Sequence, residues 1–353
     1  MVTGPDGQVS LPWLAAPLAQ ALAQQRAHAL LLHAAPGDGA LHFALALAQG
    51  WLCESGDAAQ RGGPCGGCVA CRLVQSRSHP DLLLLLPETL QESLGWSAPG
   101  DDGGGDGGKS KKKPSRQIRI DELRAATDWI VRTTSRGRAK VVVLHPAEAV
   151  NLHAAGALLK TLEEPPPGAR LVLSCAQPEQ LLPTLRSRCQ RVVLSSPPAA
   201  QALAWLVAQG VAGAEVLLAA AGGRPLDVLT LVAAGVDAAA WRALPAAVAQ
   251  GRAPALAGWP VARAVDALQK LCHDAMLQAV GGAPRFYPAV PAGVRLPALI
   301  AWSQRLARTA RHDEHPWHEA LLTEALVAQG RRAWQPPGSA AEPAELAFAT
   351  LSA

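Results

Sequence analysis

Four of the seven cysteines in this 353-residue chain fall within one short stretch, with the spacing C-x11-C-x2-C-x2-C. Four thiolates that converge on one point close a tetrahedron and leave no position for a substrate, which is typical of structural zinc. Four unbound thiols or an iron–sulfur cluster are the alternatives, but cluster-binding runs usually have another spacing and an adjacent Cys-Pro. We therefore predict one structural Zn²⁺, with the ligands Cys53, Cys65, Cys68 and Cys71.

A second candidate is a loop that has the form of a phosphate-binding site. Such loops follow G-x-x-x-x-G-K-[ST], in which lysine contacts the β- and γ-phosphates and the hydroxyl holds Mg²⁺. Here Gly37 and Gly39 are followed by Ala40 and Leu41, where lysine and the hydroxyl are required, and Asp38 would add a negative charge beside a phosphate. The loop lacks the chemistry of a nucleotide site, so we expect no cofactor-binding residues there.

The end of a later apolar run points the same way. A nucleotide hydrolase places acidic residues after this strand to hold Mg²⁺ and polarise water. Val141–Leu144 instead runs into His145 and Pro146, neither of which replaces an Asp-Glu pair. The sequence therefore predicts that the chain does not hydrolyse ATP. An active ATPase motor subunit, the main alternative, would need lysine at position 40 and acids at 145 and 146.

The elements that would position these residues follow an alternating pattern. Short apolar runs alternate with segments of helical periodicity such as Leu41–Leu52, Ile120–Val131 and Asn151–Leu162, which predicts an α/β domain with a five-stranded parallel sheet. The predicted strands are Ala29–Leu32, Leu82–Leu86, Lys140–Leu144, Leu171–Ser174 and Val192–Leu194.

The rest of the chain divides at changes of composition. After Ser196-Pro197-Pro198 the pattern is entirely helical, with a break near residues 235–237. We predict domains over 1–195, 196–238 and 239–353. The Gly-, Asp- and Lys-rich run Asp101–Lys113 predicts a disordered insertion of about residues 99–115, because it has too little apolar surface to offset the entropy of ordering.

Composition limits the class of protein. With 49% hydrophobic and 17% charged residues, the chain is expected to bury a core. No apolar run approaches the ~20 residues of a membrane helix, and the N-terminus lacks the basic and apolar regions of a signal peptide. We expect a cytoplasmic protein that does not interact with membranes. The net charge of +4 neither requires nor excludes contact with nucleic acid.

Two further motifs bring a family resemblance. Leu158–Pro166 (LLKTLEEPP) and Leu185–Cys189 (LRSRC) resemble segments of AAA+ clamp-loader subunits of bacterial DNA polymerase III, and the likeness covers about residues 12–235. It implies a degenerate P-loop NTPase-like AAA+ domain with a zinc module, a small helical lid and an all-α collar that mediates oligomerisation. Leu226 stands where ATP-binding relatives carry a sensor arginine, which would be the third functional group missing from the nucleotide site.

The resemblance also implies partners and an activity. The chain would be a non-hydrolysing member of a hetero-pentamer with delta and the ATPase gamma/tau subunits, which loads a sliding clamp on primer–template DNA during replication. That complex belongs to a DNA-directed DNA polymerase holoenzyme, a nucleotidyltransferase. Arg188 would act in trans as an arginine finger on a neighbour's ATP, with Ser187, Glu163 and Glu164 at the same interface and Arg186 as a bystander.

Two other functions involve nucleic acid directly. A zinc-dependent nucleic-acid binding module would group basic and aromatic residues near the cysteines, where only Arg61, Arg72 and Arg77 are found. A basic cluster further along the chain either faces DNA or forms a solvated loop. Its members are Arg132, Arg136, Arg138 and Lys140.

Overall fold

The computed structural model describes residues 3–56, 58–96, 114–311 and 317–335, without the side chains of residues 152 and 153. Its five strands form a single parallel sheet in the order β2-β3-β4-β1-β5. The strands are β1 (Ala29–His33), β2 (Leu82–Leu85), β3 (Lys140–Leu144), β4 (Ala169–Cys175) and β5 (Gln190–Val193). The predicted α/β class and five-stranded parallel sheet are confirmed.

The burial of the strands explains why they are apolar throughout. All five residues of β3 are buried, as are the first four of β1, because the sheet is covered on both faces. β5 lies at an edge of the sheet and is mostly exposed. It begins at Gln190, two residues before the predicted start, because backbone hydrogen bonds between strands do not require apolar side chains. Backbone pairing likewise extends β4 to Ala169.

Fifteen α-helices lie within the described residues. In the first part of the chain they are α1 (Ala15–Gln24), α2 (Ala40–Leu52), α3 (Ala58–Arg61), α4 (Val69–Gln75), α5 (Glu88–Leu94), α6 (Ile120–Ile130), α7 (Leu152–Glu163) and α8 (Pro183–Arg186). After them follow α9 (Ala199–Ala208), α10 (Ala214–Ala220), α11 (Pro225–Ala233), α12 (Ala238–Ala249), α13 (Val261–Ala279), α14 (Leu296–Ala310) and α15 (Glu319–Arg331).

Side chains outside the helices fix where two of them begin. The Asn151 carboxamide oxygen accepts a hydrogen bond from the Ala154 N–H at 2.9 Å and caps α7. The Asp237 carboxylate does the same for α12 through the Ala240 N–H at 2.7 Å. Each satisfies one of the N–H groups that a helix leaves unpaired at its start.

The chain forms two compact units, residues 1–201 and 202–353. In the second unit one apolar core joins residues from α9 to α15, with Trp241 and Trp302 among its largest buried side chains. This core contains residues from both the 196–238 and the 239–353 regions, and their division into separate domains stays a prediction. Residues 97–113, which contain most of the predicted disordered insertion, lie outside the described ranges.

Within the described ranges, no single helix has both the length and the apolar character of a membrane span. Only α10 and α11 taken together meet these criteria of length and composition, and they are bent by 104° at the break between them.

Candidate functional site

The four cysteines of the sequence motif meet at one point. Cys53 directly follows α2, Cys68 caps α4, and all four Sγ atoms lie within 4.8 Å of one another. The Cys53–Cys68 and Cys65–Cys71 Sγ distances are 4.0 and 3.9 Å, and a tetrahedron with Zn–S bonds near 2.3 Å has edges of about 3.8 Å. The donor set and its geometry fit a tetrahedral metal ion with four sulfur ligands.

The surroundings of the sulfurs shift the pKa values of Cys65 and Cys71 in opposite directions. Burial opposes ionisation of Cys65, but hydrogen bonds from the Ser55 hydroxyl and from the Cys68 and Gly67 N–H groups lower its pKa to about 6. Burial and the neighbouring Cys68 and Cys53 raise the pKa of Cys71. Four adjacent negative charges repel one another, so a divalent cation at their centre would stabilise the fully ionised set.

Two glycines hold the N-terminal turn against this cluster. Gly66 has φ +73°, and a Cβ there would lie 2.3 Å from the Gly7 nitrogen and 2.6 Å from the Gly4 oxygen. Gly7, at φ +77°, would bring a Cβ within 2.0 Å of the Pro64 oxygen. Only glycine permits this approach of two backbones. The cysteine cluster therefore depends on residues 4–7, a contact that the cysteine spacing does not reveal.

The degenerate phosphate loop is closed by apolar side chains. Gly39 begins α2 with φ +100°, and a Cβ there would lie 2.6 Å from Leu11 Cδ1 and 3.3 Å from Leu14 Cδ1. Both leucines are buried. Apolar groups thus pack against the loop at the glycine where backbone would have to approach a phosphate, and Ala40 and Leu41 follow as the first residues of α2.

Asp38 in the same loop is directed to internal partners. It is 1% exposed, and its carboxylate accepts a hydrogen bond from the Ser196 hydroxyl at 2.5 Å. Its carbonyl oxygen accepts one from the Trp13 indole N–H at 2.9 Å. Sequence reasoning missed Leu11, Trp13 and Ser196, because no motif links them to Gly37 and Gly39.

The end of β3 carries neutral groups where a hydrolase needs acids. Burial, and then repulsion by His42, lower the pKa of His145 to about 4, so its ring is neutral at pH 7. His145 Nδ1 lies 2.6 Å from the Ser174 hydroxyl at the end of β4. The first acid after β3, Glu148, accepts hydrogen bonds from the Ala176 and Gln177 N–H groups at 2.6 and 2.7 Å.

Arg188 lies between α8 and β5, as the sequence predicts. Its guanidinium donates to the Thr184 carbonyl oxygen at 2.9 Å and pairs with the carboxylate of Glu163, the last residue of α7. The Arg188 side chain is 33% exposed and that of Glu163 50%. Ser187, Glu164 and Arg186 are exposed nearby in sequence. The two motifs that carry the family resemblance therefore meet through one ion pair.

Two of the four residues in the basic cluster have internal partners. Arg136 Nε lies 2.6 Å from Glu54 Oε1, and Lys140 is buried with its Nζ 3.4 Å from Asp81 Oδ1. Sequence reasoning missed both acids, although Glu54 directly follows a predicted zinc ligand. The question whether the basic cluster faces DNA or forms a solvated loop therefore concerns only Arg132 and Arg138.

The arginines near the cysteines also have internal partners. Arg61 donates to the Ser55 carbonyl oxygen and to Cys53 Sγ, the latter at 3.4 Å. Arg72 Nε donates to the Gly67 oxygen at 2.9 Å. Arg77 donates to the Leu94 oxygen at 2.8 Å. Arg61 and Arg72 thus bond within the cysteine module and Arg77 to the end of α5, which disfavours the alternative of a zinc-dependent nucleic-acid binding module.

Comparison with known proteins identifies the family. The family profile described as "DNA polymerase III, delta subunit" matches residues 13–198. DNA polymerase III subunit delta' of Escherichia coli K12 is 32% identical over 281 residues, which are 73% of this chain and 76% of that protein. The Pseudomonas aeruginosa subunit delta' is 38% identical over 216 residues, 60% of this chain and 58% of that protein.

Among solved structures, a DNA polymerase III gamma subunit-related protein from Thermotoga maritima covers 90% of this chain at 15% identity and a TM-score of 0.44, a likeness from which nothing further follows. The family profile spans more than half of the chain, and the E. coli relative is matched over more than two thirds of both sequences. The chain therefore belongs to the DNA polymerase III delta-subunit family, and the relatives described above by sequence are its delta' members.

Proposed function

We propose that this chain is a non-hydrolysing delta' subunit of a DNA polymerase III clamp loader. It would assemble with delta and ATPase gamma/tau subunits in a hetero-pentamer and help to place a sliding clamp on primer–template DNA. The closed phosphate loop is the observation that carries the proposal. Leu11 packs against Gly39, Asp38 is buried beside it, and Ala40 and Leu41 stand where the lysine and hydroxyl that hold a γ-phosphate are required.

In this proposal Arg188 supplies the chemistry that the chain contributes. During hydrolysis, water attacks the γ-phosphorus, the bond to the bridging oxygen breaks, and negative charge develops on the phosphoryl oxygens. A guanidinium from the neighbouring subunit would stabilise that charge through paired N–H donors, an effect worth about 10³–10⁵ in rate in other nucleotide hydrolases. The partly exposed position of Arg188 after the short helix α8 supports this role.

Cys53, Cys65, Cys68 and Cys71 would hold one Zn²⁺. The ion would stabilise the fold and take no part in chemistry, because four sulfur ligands leave no open position. Glu54 follows the first ligand and pairs with Arg136 in the loop before β3. The zinc module would thus stabilise the loop that precedes β3.

The test is clamp loading by the reconstituted complex with Arg188→Ala, beside Arg186→Ala as the matched control. One interface loses its arginine while the others keep theirs, so we expect a partial loss of DNA- and clamp-stimulated ATPase and a severe loss of loading. Arg188→Lys should restore little of the clamp loading, because a lysine ammonium does not reproduce the paired, planar N–H donors of a guanidinium. Equal, unimpaired activity of the Arg188→Ala and Arg186→Ala complexes would contradict the role of Arg188.

A further inference from the structure

A cavity lies along the outer edge of the sheet, and none of the four cysteines, the phosphate loop or Arg188 lines it. It has a volume of about 630 Å³ and lies beside β2, α6 and the end of α5. Cavities of this size commonly bind ligands when apolar walls are combined with a few fixed polar groups. We call it the β2 groove and define it by Arg77, His79, Leu82–Leu86, Trp96, Trp129 and Arg132.

One wall of the β2 groove is a run of five leucines, from Leu82 to Leu86. β2 is an outer strand and pairs only with β3 among the described strands. Its N–H and C=O groups on the other side therefore have no strand partner, although the Leu82 N–H donates to the His79 oxygen at 3.2 Å. An open strand edge beside an apolar cavity is the arrangement to which an extended peptide adds as a further strand.

His79 places an unsatisfied donor in the wall of the groove. Its side chain is only 5% exposed, and its Nδ1 accepts a hydrogen bond from the Asp81 N–H at 3.0 Å. Burial lowers the pKa of His79, so the ring is neutral and its hydrogen is on Nε2. That nitrogen is buried and has no acceptor within the described part of the chain. Because that nitrogen is buried, the apolar walls, the strand edge and the arginines decide what the groove binds.

The charges that line the groove favour an acidic ligand. Arg77 is held in place by hydrogen bonds to the Leu94 and Gly95 oxygens, at 2.8 and 2.6 Å. Arg132, just after α6, is exposed. The acid that lines the groove, Glu122, accepts a hydrogen bond from the Arg119 N–H at 2.8 Å and caps α6. Two arginines therefore line the groove, and the carboxylate of Glu122 beside them already caps α6.

We propose that the β2 groove binds an extended peptide segment of another protein, one that alternates apolar residues and carries at least one carboxylate. The apolar side chains pack on the leucines and Trp129, the backbone pairs with the outer edge of β2, and the carboxylate meets Arg132. This interaction is separate from clamp loading and does not rest on the role proposed for Arg188.

A single-stranded nucleic acid fits the groove less well. Such ligands bind by stacking bases on free aromatic faces. The Arg77 guanidinium carbon lies 5.0 Å from the centroid of the Trp96 ring, and Lys140 Nζ lies 3.9 Å from that of Trp129. Each ring thus already has a cation over one face. A wall of leucines also offers no polar side chain to contact bases.

The experiment selects ligands with the full chain from a displayed library of random peptides about ten residues long, the upper range of strand lengths. An enriched peptide is then labelled, and its dissociation constant is measured by fluorescence anisotropy. The variants are Arg132→Glu and, as the matched control, Arg138→Glu, an exposed arginine of the same loop that does not line the groove. Equal melting temperatures establish that both variants are folded.

We expect enriched peptides with an acidic residue among alternating apolar ones. Arg132→Glu should weaken their binding by about tenfold or more, because Arg132 would lie next to the peptide carboxylate. Arg138→Glu should weaken it by less than about twofold, because Arg138 does not line the groove. Amide exchange of Leu82–Leu86 should slow on binding. The proposal is overturned if no peptide is enriched or if both variants bind equally well. It is also overturned if only an oligothymidylate probe binds in an Arg132-dependent way.

Discussion

Arg188 and Glu163 join the two motifs of the family resemblance by an ion pair between the segment after α8 and the end of α7. The Glu163 carboxylate lies at a helix C-terminus, where negative charge is unfavourable, and pairing with Arg188 compensates for this position. Exposed ion pairs contribute only about 0–1 kcal/mol to stability. We therefore expect the pair to orient the guanidinium, with little effect on the folding of the chain.

The first prediction concerns that orientation. Glu163→Gln should lower the stimulated ATPase of the reconstituted complex by about 2–10-fold, less than Arg188→Ala, because the arginine is still present but less well held. The melting temperature of the isolated chain should hardly change. Glu179→Gln, at an exposed acid outside both motifs, is the control.

A double-mutant cycle separates this role from a direct contact with the neighbour. If Glu163 acts only through Arg188, Glu163→Gln adds nothing in an Arg188→Ala background. An equal loss of ATPase in both backgrounds would mean that Glu163 acts elsewhere.

The second prediction is that the nucleotide site cannot be repaired locally. The isolated chain should show no ATPase above background, and Ala40→Lys combined with Leu41→Thr should not create it. Leu11 and Leu14 still pack against Gly39, and His145 still stands in place of an acid. Steady-state phosphate release by the double variant, absent from the wild-type chain prepared in the same way, would contradict this prediction.

The third prediction concerns the metal. Elemental analysis of protein prepared without chelator should give one zinc per chain, and a chelator should lower the melting temperature. Cys68→Ser should have the same effect, whereas Cys272→Ser, at a cysteine buried in the helical unit, should leave the zinc content unchanged. Iron, or retention of a full equivalent of zinc by Cys68→Ser, would contradict the assignment.

The fourth prediction tests the contact between the N-terminal turn and the cysteine module. Gly66→Ala should destabilise the protein by at least about 1–2 kcal/mol, the cost of a left-handed conformation for a residue with a Cβ, and the clash with Gly7 adds to it. Gly67→Ala is the control, because its Cβ would lie 3.9 Å from the Pro5 oxygen, the nearest atom. Urea unfolding gives both values, and equal stability of the variants would refute the close approach.

The fifth prediction concerns the buried pair of Asp81 and Lys140. Burial opposes ionisation of Asp81, but the Ser135 and Arg136 N–H groups and the Lys140 ammonium outweigh it and hold its pKa below the ordinary value. Asp81→Asn should destabilise the chain by about 3–5 kcal/mol at pH 7, because it leaves the Lys140 charge buried without its partner. Asp128→Asn, at an exposed position in α6, should have little effect.

The pH dependence of this effect has a definite sign. A lowered folded-state pKa stabilises the protein above the unfolded value of about 3.9, and the stabilisation disappears as pH falls through the folded value. The difference in unfolding free energy between wild type and Asp81→Asn should therefore be constant from neutral pH to about pH 5 and shrink below about 3.9. A difference that grows in acid would contradict the assignment.

The sequence by itself determined the strands and the candidate metal ligands. Parallel strands buried on both faces must be apolar throughout, so β1, β2 and β3 are visible as runs of leucine and valine. The cysteines lie within 19 residues of one another, and their spacing predicts that they meet. Missing lysine and acid residues are equally visible, because a phosphate loop needs particular side chains at fixed positions.

Only the tertiary structure decided which residues distant in sequence meet. Leu11 packs against Gly39, Asp81 neutralises Lys140, and Glu163 pairs with Arg188. Such contacts arise from the packing of separate elements, and neither periodicity nor composition specifies which side chains will face one another. The same holds for the β2 groove, whose leucines are obvious in the sequence but whose open edge follows from the strand order.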